Sequence, residues 1–292
     1  MRSGDCSFVK GQVMKRRYSK VLSILLLLSL TLSVFAFSAQ DTYAASWPKY
    51  IAHRGWSYRA PENTLPAFRL AAENKKFYGV EFDIWESKAQ KSGDPLLLVM
   101  HDENIKRMCG VSKSIRSITR ANRKNYTIKS GKNIKNYKGL KIPTAELALS
   151  TIWKHTDGAI PVIELKHRLS GRALKYLFDL IGDHNVAIIS FDYDAVEDAV
   201  KMAKKRGVIK NVQTMYLLSS LSSGKYTSTA KKLKNAGIDC ISLKYTSVTK
   251  TAVQRFHKYG IKVCTWTIPN RKTAKKYAAM GVDYITSNCG VY

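Results

Sequence analysis

The chain has 292 residues, of which 45% are hydrophobic and 24% charged, with 17 Gly and only 7 Pro. This composition excludes collagen-like, wholly disordered and disulfide-dense chains, and it predicts a sizeable packed core. The net charge is +28, of which residues 46–292 carry +24, and such a field favours anionic partners through electrostatic steering.

The first 45 residues have the pattern of an export signal. Four basic residues between positions 15 and 20 precede an uncharged apolar run, 21–39, and small residues such as Ala44 follow it. This order is typical of a cleaved secretory signal peptide. The run is also long enough to cross a bilayer, so an uncleaved N-terminal anchor is the alternative. Either way the positive-inside rule predicts that residues 46–292 are secreted or extracellular, free or anchored to the membrane.

From Tyr50 onward, short apolar segments alternate with helix-sized segments. The predicted strands are 50–55, 78–87, 95–102, 159–167, 186–192, 208–218, 238–245, 261–268 and 282–288. The predicted helices are 63–75, 144–156, 171–182, 193–206, 226–236, 249–259 and 271–280. This alternation is typical of a parallel sheet built from βα units, and therefore of the α/β class.

One of the nine predicted strands is an exception, because the link between 78–87 and 95–102 is too short for a parallel crossover. The link contains Ser92-Gly93-Asp94, which is turn chemistry. We therefore interpret 95–102 as the return arm of a hairpin that extends strand two. The other eight strands predict a TIM (β/α)8 barrel over residues 46–292.

Residues 103–142 interrupt the alternation after this hairpin. They hold twelve Lys and Arg residues and one acidic residue, Glu103, for a net charge of +11. In a TIM barrel an insertion here overhangs the active-site face. Two interpretations stay open: a solvated, partly mobile loop, or a basic collar that concentrates a polyanionic substrate.

Charged side chains recur at the predicted strand ends, where a barrel places its catalytic groups. They are His53, Arg54, Glu81, Asp83, His101, Glu164 and Lys166. The three carboxylates predict an oxygen-rich site for one divalent cation, Mg²⁺ or Ca²⁺. The two histidines are a natural acid and base near neutral pH, and the two cations suit a phosphate. Together these groups predict cleavage of a phosphodiester.

Several short motifs follow one another in order over some 220 residues. They are His53-Arg54-Gly55, Ala60-Pro61-Glu62-Asn63-Thr64, Glu81-x-Asp83, His101-Asp102, Ile142-Pro143-Thr144, Glu164-Leu165-Lys166 and Thr265-Trp266-Thr267. In content and order they resemble the glycerophosphodiester phosphodiesterase family of the phospholipase C-like phosphodiesterase superfamily. The resemblance implies a metal-dependent TIM-barrel hydrolase that releases glycerol 3-phosphate and an alcohol.

The resemblance also implies roles for single residues. The positions of His53 and His101 form the acid/base pair, the three carboxylates hold one divalent cation, and Arg54 and Lys166 contact the phosphate. A substrate hydroxyl next to the phosphodiester attacks phosphorus, one histidine takes its proton, and the other protonates the leaving alcohol. We expect Trp266 to form a wall of the substrate site, since Trp stacks on apolar or sugar-like groups.

Two segments depart from the family pattern. Arg107-Met108-Cys109-Gly110 stands where relatives usually carry an Arg-Thr-Thr-Asn-like run, and Thr286-Ser287-Asn288 stands where a Thr-Asp-Tyr-Pro-like sequence is common. The four cysteines after the export segment allow three disulfide pairings, but buried free thiols are an equal alternative in a domain of this size. They are Cys109, Cys240, Cys264 and Cys289.

Other functions compete with the phosphodiesterase hypothesis. A phospholipase D-like enzyme acting on sphingomyelin or lysophospholipid would leave a cyclic phosphate. A non-enzymatic surface-binding protein would use the basic charge as an adhesin, but it would have no reason to retain buried charges. A glycosidase with Glu81 and Glu164 as its paired carboxylates would leave Arg54 and Lys166 without a purpose.

The expected partners follow from charge and export. We expect a glycerophosphodiester, an anionic glycerophosphate polymer or a phospholipid head group, at a membrane or cell-wall surface. Nucleic acid is not an expected partner, because the basic residues are spread along the chain without a nucleic-acid-binding motif.

Overall fold

A computed structural model of the chain describes residues 47–89 and 92–290. The export segment predicted over 1–45 lies outside these residues and stays a prediction. In the part that is described, we find no helix with the length and apolar character needed to cross a membrane.

The described strands form one nine-stranded sheet. They are β1 Lys49–Ala52, β2 Phe77–Glu86, β3 Leu97–Val99, β4 Ile160–Leu165, β5 Val186–Ser190, β6 Val212–Leu218, β7 Cys240–Lys244, β8 Lys262–Ile268 and β9 Tyr284–Ser287. Eight are parallel neighbours, and they close into a barrel because β1 pairs with both β2 and β9. The remaining strand, β3, runs antiparallel to the end of β2. The predicted TIM (β/α)8 barrel with a hairpin extension is therefore confirmed.

Helices connect the parallel strands. They are α1 Leu65–Ala72, α2 Lys106–Cys109, α3 Ala145–His155, α4 Gly171–Ile181, α5 Tyr193–Lys205, α6 Tyr226–Ala236, α7 Lys250–Lys258 and α8 Arg271–Ala278. Short 3₁₀ turns occupy Ile115–Ser117, Arg123–Asn125, Ile134–Asn136, Ser223–Lys225 and Tyr245–Ser247. Polar side chains cap several helix N-termini, as Thr64 does for α1 and Asp192 for α5. Such a cap satisfies a backbone N–H that has no partner inside the helix.

Two apolar layers stabilise the barrel. In the outer layer, alternate strand residues face outward against the helices. The helix side chains Phe178 and Phe256 are fully buried in this layer. The opposite strand faces fill the barrel interior with a smaller cluster that includes Met215 and Cys264. Burial of each large side chain contributes about 1.5–3 kcal/mol, so the layers make a rigid base for the strand ends.

The basic insertion and the hairpin arm pack together around a separate apolar cluster. Its buried members are Leu96, Leu98, Met100, Ile105, Met108, Cys109, Ile115, Ile118, Ile128 and Ile142. The insertion also contacts the loop after β1, because the Asn133 side chain donates to the Arg59 carbonyl at 2.9 Å. Burial of this cluster packs part of the insertion, and a solvated, partly mobile loop stays a prediction for its exposed residues. A collar that attracts substrate stays a prediction.

The four cysteines of the described chain are unpaired. Three are buried, and burial raises the pKa of the Cys240 and Cys264 thiols. They pack as small hydrophobic side chains and form no disulfide, so the free-thiol alternative describes this structure.

Candidate active site

The predicted site residues converge at the C-terminal mouth of the barrel. A cavity of about 140 Å³ lies there, and it is lined by His53, Arg54, Glu81, His101, Glu164, Lys166 and Trp266, together with Ile189, Phe191, Leu217, Ser242, Thr267 and Thr286. The eighth predicted residue, Asp83, contacts this group from β2, where its carboxylate lies 3.3 Å from Lys166 Nζ. The barrel thus brings together side chains that are more than 200 positions apart in the chain.

The three carboxylates form one buried cluster. Glu81 and Asp83 come from β2 and Glu164 from β4, and the register of these strands places Asp83 opposite Glu164. One oxygen of each carboxylate lies within 4.8 Å of the others, and none of the three residues is more than 6% exposed. Glu81 Oε1 is buried and makes no hydrogen bond. Three converging oxygens, one of them unpartnered, fit a hard divalent cation such as Mg²⁺ or Ca²⁺.

Lys166, Asn63 and Arg54 surround the carboxylates and donate hydrogen bonds to them. Lys166 Nζ donates to Glu164 at 2.7 Å, and Asn63 Nδ2 donates to Asp83 at 2.7 Å. The backbone N–H of Arg54 donates to Glu81 at 2.6 Å. Arg54 and Asn63 have φ near +57° and +56°, a strained conformation that the contacts of the loop maintain. In this conformation the loop directs the Arg54 backbone N–H toward Glu81.

The cluster favours protons on two of its carboxyl groups. Burial, followed by repulsion from Asp83 and Glu164, raises the pKa of Glu81 well above its ordinary value. Burial and the Asp83 charge raise the pKa of Glu164 to about 7. For Asp83, burial would raise the pKa, but Lys166 and Arg54 outweigh it and hold the pKa below its usual range. A divalent cation bound among the three carboxylates would offset the repulsion between their negative charges.

Each site histidine is oriented through its Nδ1 atom. His53 Nδ1 lies 2.6 Å from Asn288 Oδ1, and His101 Nδ1 lies 2.7 Å from Asp102 Oδ1. Both partners are acceptors, so Nδ1 carries the hydrogen and Nε2 is the nitrogen left for chemistry. Burial, with the nearby Arg54 charge, lowers the pKa of His53 to about 4. His53 is therefore neutral near pH 7 and able to accept a proton.

Arg107 joins two parts of the site. Its guanidinium donates to Asp102 at 2.5 Å and to Glu62 at 2.7 Å, and Glu62 also accepts from Arg54 at 2.9 Å. Burial would raise the pKa of Glu62, but the two guanidinium groups outweigh it and lower that pKa. From the sequence alone, Arg107 and Asn288 stand out only as members of the two divergent segments. Asn288 directly follows β9, and this strand-end position is a signal that could have identified it, whereas Arg107 lies within α2 and carries no such signal.

An aromatic wall closes one side of the cavity. The Trp266 indole donates to the Ser242 carbonyl at 3.2 Å, and its ring meets Phe191 edge to face at 5.3 Å between centroids. Phe191 is 43% exposed, so this wall faces the opening. Trp266 lines the cavity, and its role as a wall of the substrate site stays a prediction. Phe191, just after β5, is a further lining residue that was not predicted from the sequence.

The fold and the site define a (β/α)8-barrel phosphodiesterase with a carboxylate cluster that could hold a metal ion. The sequence model of the glycerophosphoryl diester phosphodiesterase family matches residues 53–289, and the chain belongs to that family. Bacillus subtilis YhdW is 27% identical over 243 residues, which cover 82% of this chain and 93% of that protein. The glycerophosphodiester phosphodiesterase of Caldanaerobacter subterraneus is 25% identical over 245 residues, 82% of this chain and 93% of that protein.

A solved structure has the same fold. The Oleispira antarctica phosphodiesterase, in complex with its product sn-glycerol-3-phosphate, superposes with a TM-score of 0.69 at 24% identity. The match covers 83% of this chain and 93% of that one. The enzyme class predicted from the sequence is confirmed by the family match.

Proposed function

We propose that this chain is an exported, metal-dependent enzyme that hydrolyses glycerophosphodiesters to glycerol 3-phosphate and an alcohol. The observation that carries the proposal is the cavity at the barrel mouth, where two histidines, two cations and the carboxylate cluster meet. The glycerol 3-phosphate bound to the Oleispira antarctica enzyme supports the same product here. Export is supported by the pattern of residues 1–45, and it would give the enzyme access to substrates at a membrane or cell-wall surface.

In this proposal His53 is the base and His101 the acid. His53, with a pKa of about 4, is neutral at pH 7 and takes the proton of a substrate hydroxyl next to the phosphodiester. The hydroxyl oxygen forms a bond to phosphorus as the bond between phosphorus and the alcohol oxygen breaks, which gives a cyclic phosphate. His101, whose Nδ1 faces Asp102, gives its proton to the leaving alcohol. Water then opens the cyclic phosphate, with the two histidines in exchanged roles.

Arg54 and Lys166 hold the phosphate in place. Each is fixed at the cavity wall by a carboxylate, Arg54 by Glu62 at 2.9 Å and Lys166 by Glu164 at 2.7 Å. Fixed cations stabilise developing negative charge without a cost of reorganisation.

Glu81, Asp83 and Glu164 would hold one divalent cation, Mg²⁺ or Ca²⁺. When bound, the cation neutralises phosphate charge and makes the attacking hydroxyl more acidic.

The test is release of glycerol 3-phosphate from glycerophosphocholine by the purified protein. We expect EDTA to abolish release, and Mg²⁺ or Ca²⁺ to restore it. His53→Ala should lower kcat by about 10²–10⁴-fold, because it removes an acid/base group. Glu81→Gln should abolish metal-dependent activity, since it removes a ligand.

Matched controls are His155→Ala and Glu197→Gln, which change half-buried side chains on α3 and α5 away from the cavity. Both should retain the activity of the unmodified protein. A cyclic phosphate as the final product would favour the phospholipase D-like alternative. No release from the folded protein with either metal would refute the proposal.

A further inference from the structure

A groove outside the catalytic cavity carries positive charge that the proposed chemistry does not use. This rim groove has a volume of about 470 Å³ and lies between the end of β2 and the loop that leads into α4. Its charged lining residues are Glu86, Lys88, Arg116, Arg168 and Arg172. Four cations against one carboxylate give it an excess of positive charge.

Lys88 and Arg116 are two cations of the groove that have no carboxylate partner among the described residues. Their backbones are joined, because the Lys88 N–H donates to the Arg116 carbonyl at 2.7 Å. Within residues 47–89 and 92–290 neither side chain has an acidic partner within 4 Å. Arg116 Nε is buried and has no hydrogen-bond partner there. Because buried donors are normally satisfied, this nitrogen points to a ligand that accepts a hydrogen bond.

The other charges of the groove are already engaged. Glu86 accepts from the backbone N–H of Ser170 at 2.8 Å and from its hydroxyl at 2.6 Å. Arg168 donates to both oxygens of Asp198, at 2.6 and 3.1 Å. Arg172 donates to the Gly93 carbonyl, so Lys88 and Arg116 are left as the groove cations whose side chains have no described partner.

The groove is a neighbour of the catalytic cavity. Arg168 follows Lys166 by two residues, so their Cα atoms are at most about 7 Å apart in extended chain. Next to Lys166, the His167 ring stacks on Trp85 at 5.3 Å, and the Trp85 indole donates to the carbonyl of the cavity residue His101 at 3.4 Å. A chain-like substrate with one phosphate in the cavity could therefore present another to the groove.

We propose that the rim groove binds a second phosphate of a substrate that carries several phosphodiesters in one chain. This inference rests on the proposed function and specifies its substrate class. A concave groove with charged walls suits a polyanionic chain. A membrane-binding surface would need exposed apolar anchors, and the exposed large apolar residues of the described chain, such as Tyr58 and Phe191, do not line the groove.

The test compares a poly(glycerol phosphate) chain with glycerophosphocholine, which has a single phosphodiester. The variant is the double substitution Lys88→Gln and Arg116→Gln in the full chain with its metal. The control is Lys231→Gln with Lys234→Gln, which removes two exposed charges from α6. At low salt we expect the groove variant to lose at least about fivefold in kcat/KM for the polymer, as two lost charge contacts imply. We expect its kcat/KM for glycerophosphocholine to stay within about twofold.

The outcomes separate the groove from general electrostatics and from the proposed function. A polymer defect in the control variant as large as that in the groove variant would show that only net charge matters, and would overturn the proposal. An unchanged polymer kcat/KM in the groove variant would also overturn the proposal. Binding to anionic phospholipid vesicles is measured beside it, and a groove variant that lost only vesicle binding would overturn the proposal as well. Failure of the unmodified enzyme on glycerophosphocholine would instead count against the proposed function.

Discussion

Glu164→Gln should stabilise the metal-free protein at pH 8, although it removes a charge that pairs with Lys166 at 2.7 Å. The reason is the pKa of Glu164, which burial and the Asp83 charge raise from 4.5 to about 7. Such a difference corresponds to about 3 kcal/mol between the protonated and ionised folded states. Glutamine resembles the neutral carboxyl group and avoids the cost of ionisation.

The sign of the effect follows from proton linkage. A raised folded-state pKa means that the folded protein binds this proton more tightly than the unfolded chain does. Below pH 4.5 both states are protonated and Glu164 costs nothing. As pH rises from 4.5 to about 7 the unfolded chain releases its proton first, so folding stability falls, and the cost then stays near 3 kcal/mol.

Urea unfolding at pH 4.5 and pH 8, with EDTA, measures this difference. Glu164→Gln should match the unmodified protein at pH 4.5 to within about 0.5 kcal/mol and exceed it by about 2–3 kcal/mol at pH 8. The control Glu197→Gln, in a surface ion pair with Lys201, should change stability by less than about 1 kcal/mol at either pH. Saturating Mg²⁺ or Ca²⁺ should stabilise the unmodified protein more than the variant, because bound metal stabilises the folded state. A Glu164→Gln protein less stable than the unmodified one at pH 8 in EDTA would refute the reasoning.

Three further predictions concern contacts that the structure shows. Asn288→Ala removes the 2.6 Å contact that orients His53. The kcat for glycerophosphocholine should therefore fall about 10–100-fold with little change in KM, and an unchanged kcat would contradict this. Arg107→Gln should lower kcat about tenfold, because it removes the guanidinium that contacts both Glu62 and Asp102. Arg107→Lys should recover only part of this kcat, since a single ammonium group cannot replace the planar guanidinium at both contacts, and full recovery would contradict this. Phe256→Ala should lower the free energy of unfolding by about 3–5 kcal/mol in urea, against a smaller loss for Phe256→Leu; equal losses would contradict it.

The barrel could be predicted because its signals are local. Apolar runs of strand length alternate with helix-length segments, and the observed α4 Gly171–Ile181 differs by one residue from the predicted 171–182. The hairpin was predicted from the short link and Ser92-Gly93-Asp94, and β3 does pair antiparallel with β2. The short helix α2 was not predicted, since four residues are too few to show a helical period.

The site set was predicted for a related reason. Parallel strands end at one rim, so charged residues at their ends meet whatever the details of packing. This placed Glu81, Asp83 and Glu164 together before any distance was known, and their oxygens do lie within 4.8 Å of one another. Their acid/base and ligand roles remain predictions for the assays above.

The sequence by itself determined the fold class, the eight-strand count and the residues that gather at the barrel mouth, because periodicity and strand-end position are properties of short segments. Only the tertiary structure decided which side chains support them. Asn288 reaches His53 across 235 positions because β9 closes the barrel against β1. Arg107 contacts Glu62, and Lys88 lies beside Arg116, because the insertion packs with the hairpin arm around a shared apolar cluster. Contacts of this kind depend on how distant segments pack, which no local pattern records.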